Sequence, residues 1–376
     1  MAVENAEIIK NRQIALGDLL RKEGLDALIL NPGPSLTYMT GLHFHLSERP
    51  VVCIFTPDRA PVLVLPELET AKLIGLPYEL VHFYYTEETD KWILAYQDAA
   101  KAAGLGNSKV GVEDISMRLL EMKYLKEVLP AAEFLNSEKS VSKLRLNKNT
   151  VERENMQKAA DIAQAALEFC LPKIKIGMTE KEFASELVIQ LYRHGSDPDL
   201  PFSPIVSSGP NSADPHAFPS DRKFGEGELL VIDWGASKNG YFSDITRTFA
   251  IGEPNAEQIK IHQTVLDANQ AGHATAKPGI TCGEVDTAAR TIIDNAGYGE
   301  YFITRTGHGL GMEVHEEPYI RSENPMILEP GMCFTIEPGI YIAGQDGVRI
   351  EDDVIVTETG IHSYTSMDRS LRVVGK

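Results

Sequence analysis

The chain has 376 residues, of which 43% are hydrophobic and 24% charged, which is the composition of a globular protein long enough for two domains. Its formal net charge of −18, from 54 acidic residues against 36 lysines and arginines, disfavours nucleic acid and anionic membranes as partners. The sequence has no apolar run of about 18 residues to span a membrane, its first residues lack the apolar core of a signal peptide, and its four scattered cysteines suit free thiols in a reducing cytoplasm.

The first third of the chain alternates helical and strand-like patterns. An amphipathic helix is predicted over residues 8–23, with Gly24 as its stop signal. Short apolar runs then predict buried strands at residues 27–30, 51–55, 61–65 and 109–113, and a helical pattern follows over 117–128. Together they indicate an α/β domain over residues 1–140, and the polar, basic stretch 137–149 is the predicted connection to the next domain.

The rest of the chain, residues 150–376, repeats one arrangement twice. Capping-box pairs at Asn149 with Glu152 and at Thr179 with Glu182 predict the first two helices. These helices, about 150–171 and 179–194, precede a hairpin at 229–249, and two more, about 256–276 and 282–296, precede strands at 331–341 and 348–357. The pattern predicts an α+β domain with a pseudo-twofold repeat.

Each of the two hairpins carries an acidic residue in each arm. In VIDWGASKNGYFSDITRTF, Asp233 follows an apolar run, and Asp244 lies in the returning strand after the Asn239-Gly240 turn signal. Glu337 and Glu351 take the corresponding positions in the second hairpin. Because aspartate is depleted from strands and an unpaired buried carboxylate is unfavourable, the repetition indicates a shared role for these acids.

Binding of metal ions would be a shared role for these four acids. The glycine-rich segment TGHGLGMEVHEEP, between the hairpins, adds His308 and His315. Converging carboxylates raise one another's pKa and repel, and divalent cations remove the repulsion. Four acids with one histidine form a mainly oxygen ligand set that suits two ions of Mn²⁺ or Co²⁺, with Zn²⁺ or Fe²⁺ as alternatives.

Each candidate ligand has a simpler explanation when it is considered alone. The alternatives are a turn residue for Asp233, an ion pair with Arg247 for Asp244, a strand-end acid for Glu337, a solvated face for Glu351 and a loop residue for His308. The repetition of the same arrangement in two hairpins argues against five separate coincidences.

In this order, the four motifs resemble the metal-dependent pita-bread peptidases, and within them the Xaa-Pro dipeptidase (prolidase) and aminopeptidase P branch. The motifs are VIDWGASKNGYFSDITRTF, TGHGLGMEVHEEP, FTIEPGIY and VRIEDDVIVTE. The N-terminal domain resembles the creatinase-like domain of that branch less specifically. The resemblance implies a creatinase-like domain over 1–140, a pita-bread catalytic domain over 150–376, and a homodimer.

By matching position, the resemblance implies that five residues bind two divalent metal ions. Asp233 corresponds to a terminal ligand of one metal, Asp244 and Glu351 to bridging carboxylates, and His308 and Glu337 to ligands of the other metal. Glu337 would also act as general base toward a metal-bridging hydroxide.

Three further residues correspond to the substrate side of the site. His216 and His315 match histidines that contact the substrate carbonyl or the tetrahedral intermediate. Arg349, in VRIED, matches an arginine that supports this wall of the site and the substrate.

The implied reaction is hydrolysis of the peptide bond before proline, in Xaa-Pro dipeptides or, by aminopeptidase P activity, in longer Xaa-Pro peptides. The compact chain favours the dipeptidase. Creatinase lacks the full ligand set, methionine aminopeptidases typically lack such an N-terminal domain, and a non-catalytic binding module is expected to have lost ligands. A metallohydrolase or lyase of a small non-peptide substrate stays open.

Two segments depart from the family pattern or extend it. Thr304 stands where many prolidase-like relatives carry histidine, which affects leaving-group recognition and not the metal site. Residues 37–50 resemble a loop that reaches a partner subunit's active site in relatives. His43 and His45 in that loop are interpreted as surface histidines.

Overall fold

The computed structural model describes residues 6–375, and the chain divides into two units between Arg145 and Leu146. Among the described residues, the helices are all too short or too polar to cross a membrane. The four cysteines are buried and unbonded.

The first unit is built on a six-stranded mixed sheet. Its strands are β1 (Ala27–Leu30), β2 (Val52–Thr56), β3 (Arg59–Pro66), β4 (Val81–Tyr85), β5 (Lys109–Val112) and β6 (Glu133–Asn136), in the spatial order β4-β3-β2-β1-β5-β6. The strands β1 to β3 are antiparallel neighbours, whereas β4, β5 and β6 join in parallel. The four predicted strands are confirmed. The strand β4 lacks an apolar signal, because most of its side chains are exposed or half-buried.

Five helices accompany this sheet: α1 (Ala6–Glu23), α2 (Pro34–Thr40), α3 (Trp92–Ala103), α4 (Leu119–Val128) and α5 (Glu138–Leu146). The predicted stop at Gly24 is confirmed, with a left-handed φ of 70°. The aromatic side chains Trp92, Tyr96 and Tyr124 pack α3 and α4 into the core of the unit. The division between the two units falls within the predicted connection at 137–149, most of which is helical, since α5 occupies residues 138–146 and buries Val141.

In the second unit, four helices begin with a capping box. They are α6 (Thr150–Cys170), α7 (Glu180–Arg193), α8 (Ala256–Thr275) and α9 (Cys282–Asn295). In each box the cap side chain accepts from a backbone N–H of the first turn, and an acidic or amide side chain returns the bond. Each cap stabilises its helix by about 1 kcal/mol. Because the two residues of a box are three positions apart in the chain, the start of such a helix can be predicted from the sequence.

The strands of the second unit form two sheets and two short ribbons. The strands are β7 (Ile205–Ser208), β8 (Glu228–Trp234), β9 (Ser237–Lys238), β10 (Tyr241–Phe242), β11 (Ile245–Ile251), β12 (Gly307–Gly309), β13 (Glu316–Ile320), β14 (Cys333–Ile336), β15 (Gly339–Tyr341), β16 (Gly347–Arg349), β17 (Asp352–Val356), β18 (Ile361–Ser363) and β19 (Arg372–Val374). One sheet has the order β19-β11-β8-β7 and the other β13-β12-β14-β17-β18, while β9 with β10 and β15 with β16 are the ribbons.

The two predicted hairpins are the antiparallel pairs β8–β11 and β14–β17. They meet at an isolated bridge, where the Glu351 N–H donates to the Thr246 carbonyl oxygen at 3.1 Å. The helices α6 and α7 pack together before the first hairpin, and α8 and α9 pack together before the second. The predicted α+β domain with a pseudo-twofold repeat is therefore confirmed.

Candidate metal centre and substrate cavity

The first hairpin brings two aspartates together. Asp233 lies in β8, and Asp244 lies one residue before β11 begins rather than within that strand. Between them, Asn239-Gly240 has positive φ values of 51° and 78°, which match a tight primed turn. A Cβ atom at Gly235 would lie 2.0 Å from the Ser243 carbonyl oxygen. The chain closes this loop because Gly235 has no side chain.

His308 lies between two glycines in β12. A Cβ atom at Gly307 would be 1.9 Å from the Thr335 carbonyl oxygen, and one at Gly309 would be 2.2 Å from that of Glu317. The neighbouring strands therefore approach His308 more closely than any side chain allows. The His308 Nδ1 atom lies 3.1 Å from the Gly309 carbonyl oxygen. Since a carbonyl only accepts, Nδ1 carries a proton, and Nε2 is the ring atom that would bind a metal ion.

That Nε2 atom faces the acidic residues. It lies 3.1 Å from Glu337 Oε1 and 3.7 Å from Asp244 Oδ2. Asp244, His308 and Glu351 each offer a ligand atom, and these three atoms lie within 4.8 Å of one another. All five predicted ligands, Asp233 included, line one cavity of the second unit. The structure thus gathers residues that are more than a hundred positions apart in the chain.

The electrostatics of the acids show that their charges are crowded. Burial, with repulsion from Glu351 and Asp233, raises the pKa of Asp244 well above its usual range. Burial, with repulsion from Glu337 and Asp233, does the same to the pKa of Glu351. Burial also disfavours the charge on Glu337, but His308 outweighs it and the pKa of Glu337 falls to about 2. Glu337 is therefore the acid that ionises most readily.

The donor set fits divalent cations. Burial raises the pKa of Asp233, and the Oδ1 atoms of Asp233 and Asp244 are buried with no hydrogen-bond partner among the described residues. Buried polar atoms nearly always have a partner, and a cation is the partner that suits a carboxylate oxygen. Of the four acidic side chains, Asp233 is paired with a buried arginine, Arg349. Two divalent ions would supply the positive charge that the set lacks.

Arg349 is a buried partner of Asp233. Its NH2 atom donates to Asp233 Oδ2 at 2.5 Å, its NH1 atom to the Tyr341 hydroxyl at 2.8 Å, and its Nε atom to Thr246 Oγ1 at 3.0 Å. The side chain is 4% exposed. Arg349 lines the cavity as predicted for a wall residue, but its donors are directed at the protein. Its contact with substrate stays a prediction.

Sequence reasoning missed the residues that hold the ligands in place. The Thr246 hydroxyl donates to Glu351 Oε2 at 2.6 Å, and the Thr335 hydroxyl to Glu337 Oε1 at 3.1 Å. Asp353 is buried, and its Oδ2 atom accepts the Asp244 N–H at 2.9 Å. The spacing of Asp244 and Thr246, two residues apart at the start of β11, was the available signal, because alternate residues of an extended chain share a face.

A second buried carboxylate lies beside the site. Asp352, between Glu351 and Asp353, is fully buried, accepts a hydrogen bond from Arg247 at 2.8 Å and forms an ion pair with Arg369 at 2.8 Å. Burial opposes its charge, but Arg247 and the other cations hold the pKa of Asp352 far below its usual range. Arg247 also donates to the Glu351 carbonyl oxygen at 2.6 Å. The solvated-face reading of IEDD is therefore wrong, since all three acids are buried.

The two histidines predicted on the substrate side both line the cavity. His216 is exposed and follows a short 3₁₀ turn at Gly209–Ala213. The ring of His315 lies 4.2 Å from that of His308, at an interplanar angle of 73°. Part of the His315 ring is exposed, yet the loss of water around it and the nearby His308 and Arg305 lower its pKa to about 4. His315 is therefore neutral near pH 7.

The cavity has a volume of about 300 Å³ and a mixed lining. The lining includes the five candidate ligands with His216, His315 and Arg349. The other lining residues are mainly apolar and are Phe202, Ile205, Pro215, Ala217, Phe218, Val314 and Tyr341, with Ser203 and Thr304. Phe218 is 82% exposed, and the Thr304 hydroxyl has no hydrogen-bond partner within residues 6–375. A large aromatic side chain left exposed at a cavity is available to a ligand.

The histidines of the first unit lie in a segment without helix or strand. His43 is half-buried and His45 is exposed, with ring centroids 4.9 Å apart. Their interpretation as surface histidines holds for His45 within its own unit, whereas His43 is partly enclosed.

Comparison with known proteins identifies the family of the chain. Residues 154–358 match metallopeptidase family M24, and residues 12–147 match the creatinase/prolidase N-terminal domain. The chain belongs to metallopeptidase family M24. An M24 relative, a Xaa-Pro dipeptidase from Lactobacillus helveticus, is 36% identical over 349 residues, which cover 93% of this chain and 94% of that protein. The family predicted from the four motifs is confirmed.

Solved structures of family relatives share the whole architecture. A prolidase from Thermococcus sibiricus matches with a TM-score of 0.92 and 34% identity, covering 97% of this chain and 99% of that one. An X-Pro aminopeptidase from Thermotoga maritima matches with a TM-score of 0.84 and 31% identity, covering 96% and 99%. The predicted fold, a creatinase-like domain before a pita-bread domain, is confirmed.

Proposed function

We propose that this M24 protein hydrolyses the peptide bond before proline, with Xaa-Pro dipeptides as its main substrates. The observation that carries the proposal is the meeting of Asp244, His308 and Glu351 within 4.8 Å, beside Asp233 and Glu337, in a cavity of peptide size. The similarity to a Xaa-Pro dipeptidase and to a prolidase supports the substrate class.

The five residues Asp233, Asp244, His308, Glu337 and Glu351 would hold two divalent cations. When bound, such cations polarise a carbonyl group and lower the pKa of water. Carboxylate oxygens with a single imidazole favour Mn²⁺ or Co²⁺, with Zn²⁺ or Fe²⁺ as alternatives. Arg349 and Thr246 would orient Asp233 and Glu351 for this task, because they already hydrogen-bond to those carboxylates.

The chain's own groups supply the proton transfers. Glu337, with its pKa near 2, is ionised at neutral pH and accepts a proton from the attacking water. The Thr335 hydroxyl keeps the carboxylate oriented. His315, with a pKa near 4, is neutral and retains one ring N–H. That N–H, with the exposed His216, would donate to the oxygen of the scissile carbonyl as negative charge develops on it.

Proline is recognised by shape, since the amide before proline has no N–H to donate. The apolar part of the cavity, with Phe202, Phe218 and Val314, suits a compact aliphatic ring or an apolar Xaa side chain. Cavities of this kind bury most of a small ligand and use few polar groups to orient it.

Release of an N-terminal residue from longer Xaa-Pro peptides is the second candidate. The similarity to an X-Pro aminopeptidase across nearly the whole chain supports it. The metal chemistry of the two reactions is the same, and the difference lies in the group that follows proline.

The test compares Mn²⁺-loaded protein on Gly-Pro and Met-Pro with the tripeptide Met-Pro-Gly, and uses Met-Ala as the control without proline. Cleavage of the dipeptides with little cleavage of Met-Ala is the expected result. Faster cleavage of the tripeptide would favour the aminopeptidase. Cleavage of none of these peptides would contradict the proposed function. Analytical ultracentrifugation of the same sample tests the homodimer that the family resemblance implies.

A further inference from the structure

The second hairpin opens at the point where it carries its two acids. The strands β14 and β17 pair as far as Ile336 and Asp352, and the ribbon of β15 and β16 starts beyond the next two residues of each arm. Glu337 and Glu351 lie in this gap, and Glu337 is followed by Pro338, which has no N–H to donate to a ladder. The first hairpin pairs without a gap along β8 and β11. Pairing between their own strands therefore does not fix the separation of Glu337 and Glu351.

Other strands hold the main chain of these two acids. The Glu337 N–H donates to the Thr306 carbonyl oxygen at 2.7 Å, and the Glu351 N–H donates to the Thr246 carbonyl oxygen at 3.1 Å. Thr306 directly precedes β12, whereas Thr246 lies in β11. Each candidate ligand is thus attached to a different neighbour, and neither bond joins one arm of the second hairpin to the other.

Asn269, in α8, joins the two arms. Its Nδ2 atom donates to the Ile336 carbonyl oxygen at 3.0 Å and to the Ile350 carbonyl oxygen at 3.2 Å. These two residues directly precede the two candidate ligands. The same Nδ2 atom lies 3.1 Å from Asp352 Oδ2, so three acceptors share its two hydrogens. One amide group therefore spans the gap in the hairpin.

The helix α8 comes close enough for this contact because of a glycine. Gly272 lies on the same face of α8 as Asn269, and a Cβ atom at Gly272 would be 2.8 Å from Ile336 Cγ2. Asn269 is fully buried, and within residues 6–375 its Oδ1 atom has no hydrogen-bond partner. Since burial of a polar group is unfavourable unless it is paired, the acceptors of its Nδ2 atom explain an amide at this position.

We propose that Asn269 is a positioning residue that sets the separation of Glu337 and Glu351, and thereby the affinity of the site for divalent cations. The inference rests on the metal site of the proposed function. Residues that orient metal ligands contribute about 10- to 100-fold to metal affinity, because the ligand atoms must be held where the ion requires them. Asn269 acts through the main chain before each ligand, and it forms no hydrogen bond with either carboxylate in the described structure.

The test measures the dissociation constant for Mn²⁺ by chelator competition in wild type and three variants. Asn269→Leu keeps the size of the side chain and removes its donated hydrogen bonds, so affinity should fall about 10- to 100-fold. Asn269→Ala leaves room for a water molecule to donate to the same carbonyl groups, so its loss should be smaller. Gly272→Ala keeps Asn269 but pushes α8 away from β14, and should also weaken Mn²⁺ binding.

Cleavage of Gly-Pro separates positioning of the metal ligands from general damage to the enzyme. The Mn²⁺ concentration that gives the half-maximal rate should rise in parallel with the dissociation constant. At saturating Mn²⁺, the KM for Gly-Pro should change by less than about threefold, because Asn269 does not line the cavity.

Asn31→Leu is the matched control. Asn31 is buried in the first unit, its Nδ2 atom donates to the Ser116 carbonyl oxygen at 2.8 Å, and its Oδ1 atom has no hydrogen-bond partner among the described residues. Leucine at this position should lower the free energy of unfolding, as in Asn269→Leu, because a buried carbonyl loses its donor. The Mn²⁺ affinity of Asn31→Leu should stay within about twofold of wild type, because a structural loss in the first unit alters no candidate ligand.

Mn²⁺ affinity close to wild type in both Asn269→Leu and Gly272→Ala would overturn the proposal, and so would an equal loss of affinity in Asn31→Leu. If Asn269→Leu does not fold, Asn269→Ala and Gly272→Ala decide in the same way. Wild type that binds Mn²⁺ without cleaving Gly-Pro would contradict the proposed function alone. Wild type that binds no Mn²⁺ would contradict both.

Discussion

Replacement of Asp244 by asparagine should change the stability of the metal-free and the metal-loaded protein in opposite directions. Ligand atoms of Asp244 and Glu351 lie within 4.8 Å in a buried site. Two unit charges at that separation repel by about 3 kcal/mol at an effective dielectric constant of about 20. Because a buried carboxyl can take up a proton to escape this repulsion, the metal-free variant should gain about 1–3 kcal/mol in free energy of unfolding.

The sign of the pH dependence follows from the raised pKa of Asp244. Between its unfolded pKa, near 3.9, and the raised folded value, the native metal-free protein holds a proton that the unfolded chain has released. The stability of metal-free wild type therefore falls as the pH rises through this window. Asp244→Asn should show a smaller fall.

With metal present the order reverses. Metal at about a hundred times its Kd should stabilise wild type by about 2.7 kcal/mol, whereas the variant lacks one charged ligand and should gain much less. Loss of a ligand's hydrogen-bond partner already lowers affinity or activity about 10- to 100-fold. Loss of Asp244 itself should lower activity by more than about 100-fold.

The assay is denaturant unfolding in chelator and in Mn²⁺, together with elemental analysis of dialysed protein. Asp221→Asn is the matched control, because Asp221 has a side chain that is 86% exposed and pairs only with Lys181 in the described structure. Unchanged metal content in Asp244→Asn would refute the reasoning. So would a metal-free variant that is less stable than wild type by more than about 1 kcal/mol.

Three further changes test other parts of the structure. His262 is buried, which lowers its pKa to about 4 from an ordinary 6.5, so its protonation in the unfolded chain should lower wild-type stability by about 2 kcal/mol between pH 7.5 and pH 5.0. The fall should shrink by that amount in His262→Phe, and denaturant unfolding of metal-free samples at both pH values measures it. Arg349→Lys should weaken metal binding about 10- to 100-fold by loosening Asp233, with chelator competition as the measurement. If a chelator removes metal from Arg349→Lys and from wild type equally well, Asp233 does not need Arg349 to bind metal. Gly307→Ala should abolish metal binding or folding, because its Cβ atom would lie 1.9 Å from the Thr335 carbonyl oxygen, and native metal content by elemental analysis would contradict this.

Local signals in the sequence were sufficient for the boundaries of the four helices α6 to α9 of the second unit. Asn149 with Glu152 and Thr179 with Glu182 form the predicted capping boxes, because both partners lie within one helical turn. The Asn239-Gly240 turn was predictable for the same reason, since few residues adopt its positive φ values. The helix α5 was not predicted within the stretch 137–149, because the polar composition of that stretch hides the few side chains that α5 buries.

The candidate ligands were also identified from the sequence, although a pattern of residues does not give distances. Asp233, Asp244, Glu337 and Glu351 were notable because acids are unfavourable in apolar strands. That argument depends on residue type and neighbours along the chain. It therefore holds before any fold is known.

Only the tertiary structure decided how these residues are supported and which of them remain available. Asp352 and Asp353 are buried beside Glu351, and Thr246 holds Glu351 across 105 positions of the chain. Arg349 is committed to Asp233, whereas Arg305 stacks over the ring of Tyr319. The composition of a segment does not distinguish a buried acid from a solvated one, or an arginine paired with an acid from one stacked on an aromatic ring. That distinction depends on which distant strands pack against the segment, because burial and charge pairing arise from contacts between residues far apart in sequence.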